Sequence, residues 1–365
     1  MSLSIRKTTK ETVVSGKALT VFLPDSMETV YFEEIVGKLR GAAASVTVEQ
    51  SPDDRNMIHA GGPVIVIGNL ADNKCVERLY YDFLSATDRW YPGPEGYEVR
   101  TLLDPYGTGY NVIHIGYSDR KGLGSAVAYF KGQIRDVIPF QKEVRPTRLH
   151  IPDEYADHIF NDELDSSKDT YYYSIRPENK GYLAYLTGNG EVLADYTKAF
   201  REILGMPFQH LMFYNRFVVW RLLEVTGMLE GDVLEKAPGF FLDWAGSKEG
   251  VGSIDRHQYQ SPHLTRNNHG TIPALGIKMF SAYLKTYHPD IKEAARYEEL
   301  ADNVYKPYFT GSWKPQCDGL CHGWWLSQPV LLHYGLLDPE KKYFRSNGAK
   351  KAAECAIAVI ANDGY

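Results

Sequence analysis

The stretch from Ser253 to Thr271 concentrates side chains that could transfer protons or bind an acidic ligand. It contains three histidines, two arginines, a tyrosine and two adjacent asparagines, namely His257, His263, His269, Arg256, Arg266, Tyr259, Asn267 and Asn268. The stretch has no apolar period, and helical patterns flank it on both sides. Because each buried donor would need a partner, we predict a loop that lines a site and leads into a helix. An ordinary polar surface loop is the alternative.

Three further polar candidates interrupt the strongly apolar helical stretch between residues 207 and 229. Tyr214, Asn215 and Arg216 follow one another there. Polar groups on an otherwise apolar helix usually have a defined partner. Two explanations stay open for Arg216, an internal ion pair and the binding of a substrate.

A second cluster joins a glycine-containing turn to aromatic side chains at the predicted start of a helix. It runs Cys-Asp-Gly-Leu-Cys-His-Gly-Trp-Trp and contains Asp318, His322, Trp324 and Trp325. Flat apolar rings suit packing against sugar rings, so the cluster predicts a sugar platform with His322 in the same cleft. Core packing is the alternative for the tryptophans, because adjacent residues point about 100° apart on a helix and only one can face a sugar.

Composition excludes several classes of function. The 365 residues carry a formal net charge of −6 and contain no basic run, whereas a nucleic-acid binder needs clustered Lys and Arg. No apolar run of about 18 residues is present to span a membrane. Cys317, Cys321 and His322 could supply three metal ligands, but no second Cys/His pair has ligand spacing. We therefore predict no metal, and no cofactor motif is recognised either.

Strand and helix signals alternate over residues 1–150, and helical periodicity begins near residue 181. The patterns predict strands at 18–23, 44–48, 62–68, 96–100 and 111–116, and helices from Ser26 to Leu39, over 74–85 and over 121–137. Helices of about 12–20 residues with short connections then continue to residue 361, among them one from about Thr271 to Thr286 and one from His322 to Leu337. The predicted class is α+β with two domains: a small N-terminal α/β sandwich (1–150), a linker (151–180) and antiparallel helix pairs (181–365) that form either a solenoid or an α/α toroid, which would be incomplete in this chain.

Three motifs in the first 150 residues resemble the non-catalytic α/β domain that precedes the catalytic module of hexosaminidases and α-glucuronidases. They are Val-Ile-Val-Ile-Gly-Asn from Val64, Pro-Glu-Gly-Tyr-Glu-Val from Pro94, and Ile-His-Ile-Gly-Tyr-Ser-Asp-Arg-Lys-Gly from Ile113. In those families the domain is structural. The resemblance therefore implies an accessory role for residues 1–150.

The helical part resembles (α/α) toroid polysaccharide lyases, such as alginate lyases and heparinase-like enzymes. Tyr-Leu-Ala-Tyr-Leu-Thr-Gly from Tyr182 and Val-Leu-Leu-His-Tyr-Gly-Leu-Leu-Asp from Val330 are similar to turns of such toroids. Arg-Asn-Asn-His-Gly from Arg266 is similar to the Asn-Asn-His signature of these lyases. A closed toroid needs more helices than this chain provides, so we expect a longer parent protein. No secretory signal is seen, but Met-Ser-Leu before a polar start is typical of an added opening, so we expect that a native targeting segment was removed and that the native protein is secreted or periplasmic.

The resemblance implies β-elimination on a uronic-acid polymer, with an acidic polysaccharide or oligosaccharide as substrate. It assigns the neutralisation of the sugar carboxylate to Asn267 or Asn268 and the general-base role to His269. A tyrosine normally protonates the leaving oxygen in such lyases, and Tyr214 and Tyr259 are the candidates. The other candidate side chains, polar or aromatic, are expected to bind substrate, namely Arg266, Arg216, Asn215, His257, His263, His322, Trp324, Trp325 and Asp318.

Two other functions are compatible with the sequence. An inverting glycoside hydrolase on the same scaffold would need two carboxylates roughly 6.5–9.5 Å apart, and Asp243, Asp255 and Asp318 form no recognisable pair. A non-catalytic carbohydrate-binding protein could hold sugar with the same aromatic and histidine side chains.

Overall fold

The computed structural model describes residues 3, 8–25, 32–50, 53–147, 177–206, 210–254, 268–311 and 322–359. Within these ranges the protein is of the predicted mixed α and β class, with a six-stranded sheet followed by a helical C-terminal part. The strands are β1 (Thr12–Val13), β2 (Ala18–Leu23), β3 (Ser45–Gln50), β4 (Val64–Ile67), β5 (Tyr97–Leu102), β6 (Val112–Tyr117), β7 (Val137–Ile138) and β8 (Lys142–Arg145).

The described helices include one, at Asp54–Ile58, that the sequence patterns did not predict. They are α1 (Glu33–Ala42), α2 (Asp54–Ile58), α3 (Lys74–Tyr81), α4 (Arg120–Lys131), α5 (Pro177–Thr187), α6 (Gly190–Ile203), α7 (Phe213–Val225), α8 (Gly231–Ala245), α9 (Asn268–Tyr287), α10 (Glu293–Phe309), α11 (His322–Leu337) and α12 (Asn347–Val359). Short 3-10 turns cover His210–Met212 and Tyr343–Arg345. In the part of the chain described, no helix combines the length and apolarity that crossing a membrane requires.

The sheet has the strand order β3-β2-β4-β6-β5-β8, and β1 pairs separately with β7. Strands β3, β2, β4 and β6 are parallel, whereas β5 is antiparallel to both of its neighbours. Apolar side chains of α1 and α4 cover one face, and those of α2 and α3 cover the other. Coverage of both faces explains why β4 and β6 read as continuous apolar runs rather than as alternating patterns.

Some helix limits differ from the sequence-based prediction. The helix predicted over 121–137 ends at Lys131, and Gly132 follows as its C-terminal cap. Val137 instead pairs in β7 with Val13 of β1. The predicted cap Ser26 lies outside the described residues, and α1 begins at Glu33.

A fully buried polar network connects β5 to α5. The Glu98 carboxylate accepts hydrogen bonds from Arg100 Nε at 2.7 Å and from the Tyr185 hydroxyl at 3.3 Å, and also from the Thr87 hydroxyl. The Tyr91 hydroxyl lies 3.2 Å from the same carboxylate. The Arg100 guanidinium donates to the carbonyl oxygen of Tyr185 and lies 4.0 Å from the centroid of that ring.

The network influences protonation as well as packing. Burial opposes ionisation of Glu98, but the nearby charges of Arg100 and His114 and the hydrogen bonds from Thr87 and Arg100 together outweigh it, so the pKa of Glu98 is below its ordinary value. His114 lies 3.6 Å from the carboxylate. Its own pKa is lowered because burial disfavours the imidazolium more than the Glu98 charge favours it. The network therefore contains a carboxylate, a guanidinium and a neutral imidazole at pH 7.

The chain divides into two compact units. The sheet unit comprises Ser4–Leu204 and Val218–Lys236, and the helical unit comprises Met1–Leu3, Gly205–Phe217 and Ala237–Tyr365. Helices α5 and α6 thus belong to the sheet unit, although the sequence grouped them with the toroid. The domain limits at residues 150 and 181 stay predictions, because residues 148–176 lie outside the described ranges.

Side-chain contacts determine the directions of the helices within the helical unit. Helix α9 runs parallel to the first turns of α7 and to α11, whereas α8 is antiparallel to α7 and α10 is antiparallel to α9. For α7 and α9, Phe213 contacts Gly276 and Phe217 contacts Tyr283, and for α7 and α8, Phe213 contacts Trp244 and Phe217 contacts Phe241. For α9 and α10, Thr271 contacts Tyr305 and Lys285 contacts Glu298. For α9 and α11, Thr271 contacts Ser327 and Lys278 contacts Tyr334. The N-terminal ends of α7, α9 and α11 therefore lie at one end of this unit.

Candidate active site

Two of the predicted catalytic residues begin the longest helix of the helical unit. Asn268 and His269 form the start of α9, and residues 255–267 of the predicted loop lie outside the described ranges. Asn268 is buried at 4% exposure, and His269 is partly exposed. Apolar side chains of α9 pack inside the unit, so the helix holds its first turn in a defined position.

His269 is hydrogen bonded to a second histidine, His210 in the 3-10 turn before α7. His269 Nδ1 lies 2.7 Å from His210 Nε2, and the rings are 4.9 Å apart between centroids. The other ring nitrogen of His210, Nδ1, lies 3.4 Å from Oε2 of Glu249. Glu249, His210 and His269 therefore form a chain of polar contacts, which we call the histidine relay.

The short distance between the imidazole rings indicates a hydrogen bond rather than shared metal coordination. Two nitrogen ligands about 2.0–2.1 Å from one tetrahedral metal ion would stand about 3.3 Å apart. In addition, Glu249 approaches the opposite nitrogen of His210. Over the described ranges no three His, Cys, Asp or Glu side chains are grouped so that they could hold a metal ion.

Tyr214 forms a separate pair with a histidine of another helix. Its hydroxyl lies 2.9 Å from Nδ1 of His333 on α11. Burial raises the pKa of Tyr214 above its ordinary value, so the phenol stays protonated at neutral pH. The close approach of Gly276 to the backbone of Tyr214 fixes this part of α7 against α9.

The neighbouring candidates on α7 differ in exposure. Asn215 is exposed, so it is accessible to a ligand. Arg216 is buried at 5% exposure, and both explanations for it stay predictions. A buried guanidinium requires compensating partners inside the protein.

Helix α11 begins at the same end of the helical unit as α9. Ser327 Oγ lies 3.1 Å from Thr271 Oγ1, which sets the first turns of α11 beside those of α9. Helix α11 begins at His322, as predicted, and Trp324 and Trp325 are in its first turn. The side chains of these three residues lie outside what the structure describes.

Several predicted site residues lie outside the described ranges altogether. They are Asn267, Arg266, Tyr259, His257, His263 and Asp318, together with Asp255, Cys317 and Cys321 from the alternative functions. Their assigned roles stay predictions. Asp243, the remaining acidic candidate, is exposed on α8.

Sequence reasoning missed three residues: His210 and His333, which contact predicted residues, and Glu249, which contacts His210. His210 stands alone before an apolar helix, and His333 lies within one. Glu249 sits in the short polar segment Gly-Ser-Lys-Glu-Gly that follows α8. No local spacing relates these side chains to His269 or Tyr214, because helix packing alone brings them together.

Comparison with protein families, curated proteins and solved structures finds no match to this chain.

Proposed function

We propose that this protein is a polysaccharide lyase that cleaves a uronic-acid-containing polymer by β-elimination, with an acidic polysaccharide or oligosaccharide as substrate. The observation that carries the proposal is His269 at the start of α9, 2.7 Å from His210 and next to the buried Asn268. A histidine with one ring nitrogen already engaged has a defined orientation, which a general base requires.

The reaction determines what the site must supply. β-Elimination removes the proton at C5 of the uronic acid and expels the sugar linked through O4. The C5 proton is a very weak acid while the adjacent carboxylate is charged. An amide or a cation at that carboxylate stabilises the enolate-like transition state, because it meets negative charge where it develops.

Asn268 and the first turn of α9 suit the sugar carboxylate. The N-terminal turn of a helix presents backbone N–H groups and the positive end of the helix dipole. We assign carboxylate binding to this turn and to Asn268, with Asn267 as the preceding amide. Arg266 precedes Asn267 in the chain and is proposed to contribute positive charge.

His269 and Tyr214 are the proposed base and acid. An imidazole has an ordinary pKa of about 6.5, so a neutral form is available near pH 7 to accept the C5 proton. The leaving O4 needs a proton donor, and the raised pKa of the partly buried Tyr214 keeps its phenol protonated. Its partner His333, 2.9 Å away, would fix the direction of the hydroxyl group.

The directions of the helices support an incomplete α/α toroid as the scaffold. In the helical unit, α7, α9 and α11 run one way, and α8 and α10 run the other. Parallel inner helices alternating with antiparallel outer helices would place the first turns of α9 and α11 at one mouth of a toroid. His322, Trp324 and Trp325 at the start of α11 are proposed to line the sugar path there.

The test is incubation of the chain with glucuronan, alginate and glycosaminoglycans, with the ultraviolet absorbance of an unsaturated uronide as the readout. A growing absorbance supports the lyase. New reducing ends without this absorbance would instead indicate a hydrolase, and sugar binding without any product would indicate a carbohydrate-binding protein.

The His269→Ala variant tests the assignment of the base. Since a positioned general base contributes about 10²–10⁴ in rate, we expect at least a 100-fold loss of kcat with the fold retained by circular dichroism. His59→Ala is the matched control, because His59 is exposed in the sheet unit. Wild-type rates in His269→Ala would exclude His269 as the base.

A further inference from the structure

We infer that Glu249 and His210 are positioning residues that fix the tautomer of His269 and share the charge it acquires. This inference rests on the proposed function for its catalytic meaning, but its structural content can be tested separately. The contacts are those of the histidine relay, 3.4 Å from Glu249 Oε2 to His210 Nδ1 and 2.7 Å from His210 Nε2 to His269 Nδ1.

The Glu249 carboxylate determines the tautomers of His210 and His269. An ionised carboxylate only accepts hydrogen bonds, so the proton of neutral His210 is on Nδ1, facing Glu249. His210 Nε2 then carries the lone pair and accepts a hydrogen bond from His269 Nδ1–H. With its proton on Nδ1, neutral His269 carries its own lone pair on Nε2. The Glu249 carboxylate, acting through His210, thus determines which nitrogen of His269 acts as the base.

The relay also provides a place for the abstracted proton. When Nε2 of His269 takes the C5 proton, the electron pair of the C–H bond remains on the substrate and His269 becomes an imidazolium. The proton on His269 Nδ1 can then move across the 2.7 Å contact to His210 Nε2. His210 becomes the cation, next to the Glu249 carboxylate, and His269 is neutral again with its proton on Nε2. No oxidant, reductant or co-reactant is needed.

The burial of the relay indicates how strongly it acts. The side chain of His210 is 11% exposed and that of Glu249 is 35% exposed. A largely buried imidazole keeps a fixed orientation, whereas water partly screens the carboxylate. We therefore expect His210 to contribute more than Glu249.

Nitrogen-15 NMR of the histidine-labelled chain measures the tautomers directly. The chain has 11 histidines, and the signals of His269 are those that disappear in His269→Gln. We expect the Nδ1–H tautomer for neutral His269 in the wild type. This tautomer should persist in His210→Gln, where the amide oxygen can still accept, and should be lost in His210→Leu, with His59→Gln as the control.

Glu249→Gln separates charge from orientation. The glutamine oxygen can still accept from His210 Nδ1–H, so we expect the tautomer of His269 to persist. Loss of the negative charge should lower the pKa at which the histidine pair takes up its first proton, whereas Glu299→Gln, at an exposed position of α10, should leave it unchanged. For catalysis we expect kcat to fall about 10–100-fold in His210→Leu, and less in Glu249→Gln, with KM nearly constant.

The outcomes distinguish the relay from the proposed function. A wild-type His269 with its proton on Nε2, or a tautomer that is unchanged in a folded His210→Leu variant, would overturn the relay whatever the activity. A lyase that needs His269 but is indifferent to His210→Leu would also overturn it, while the proposed function stands. If no polymer is cleaved, the proposed function fails, and the NMR result alone decides the relay.

Discussion

Replacing Glu98 by glutamine tests how much the buried network contributes to the stability of the sheet unit. The substitution keeps the shape of the side chain but removes its charge. Glu98 is 0% exposed and Arg100 is 3% exposed, so the guanidinium would stay in the interior without its counter-charge. The new amide N–H₂ group would also face hydroxyl groups that now donate hydrogen bonds to the carboxylate, so two donors would be opposed. Breaking a buried ion pair on one side costs about 3–5 kcal/mol, a large part of the ~5–15 kcal/mol that stabilises a typical domain.

Urea unfolding followed by circular dichroism measures this loss, with hydrogen exchange of the β5 amides to report on the sheet unit. We expect a lower midpoint with an unchanged m value. Glu143→Gln is the control, because Glu143 also pairs with an arginine at 2.7 Å, but that partner, Arg145, is 69% exposed. The double variant Glu98→Gln, Arg100→Met should lose less than the sum of the single variants. If Glu98→Gln is as stable as Glu143→Gln, the network does not have the energetic role assigned to it.

Two further predictions concern pH and helix packing. His114 has a lowered pKa in the folded state, so the unfolded chain binds more protons as the pH falls below about 6.5, and stability is lost in that window. We expect the unfolding free energy of His114→Gln to depend less steeply on pH between roughly pH 7.5 and 5.5, the range around the ordinary histidine pKa. An unchanged slope in this variant would contradict the role given to His114. Gly276→Ala would bring a methyl group to 2.7 Å from the Phe213 ring and 2.9 Å from the Tyr214 Cα, so thermal unfolding should show a loss of about 1–3 kcal/mol. The matched variant Gly124→Ala on α4 meets nothing within 4 Å and should gain about 0.5–1 kcal/mol; equal effects at the two glycines would refute the packing argument.

Local patterns were sufficient for most of the described elements. Because both faces of β4 are covered, its residues form a continuous apolar run, and that run predicts the strand. Helix α11 begins at the predicted His322 and ends at the predicted Leu337. The end of α4 was missed, since the apolar Val137 extends the helical pattern past Gly132, but its partner in β1 lies more than a hundred residues earlier. Pairing over such a distance leaves no local trace in the sequence.

The candidate site was predictable only in part, for a related reason. The Asn-Asn-His motif predicts His269 and Asn268 as site residues because they are adjacent in the chain. By contrast, His210 and Glu249 stand 59 and 20 residues before His269, and His333 stands 119 residues after Tyr214. Only the packing of α7, α8, α9 and α11 brings these groups within hydrogen-bond distance.

The sharing of α7 and α8 between the two units has a practical consequence for dissecting the protein. A fragment cut after residue 150 would lack Tyr185, which is hydrogen bonded to both Glu98 and Arg100. It would lack Leu186 as well, whose carbonyl oxygen accepts a hydrogen bond from the Tyr91 hydroxyl at 3.0 Å. It would also lack Val225, which packs in the sheet core. Because the sheet unit draws on two separate stretches of the sequence, no single scission separates it from the helical unit, and gene fragments should retain at least residues 4–236.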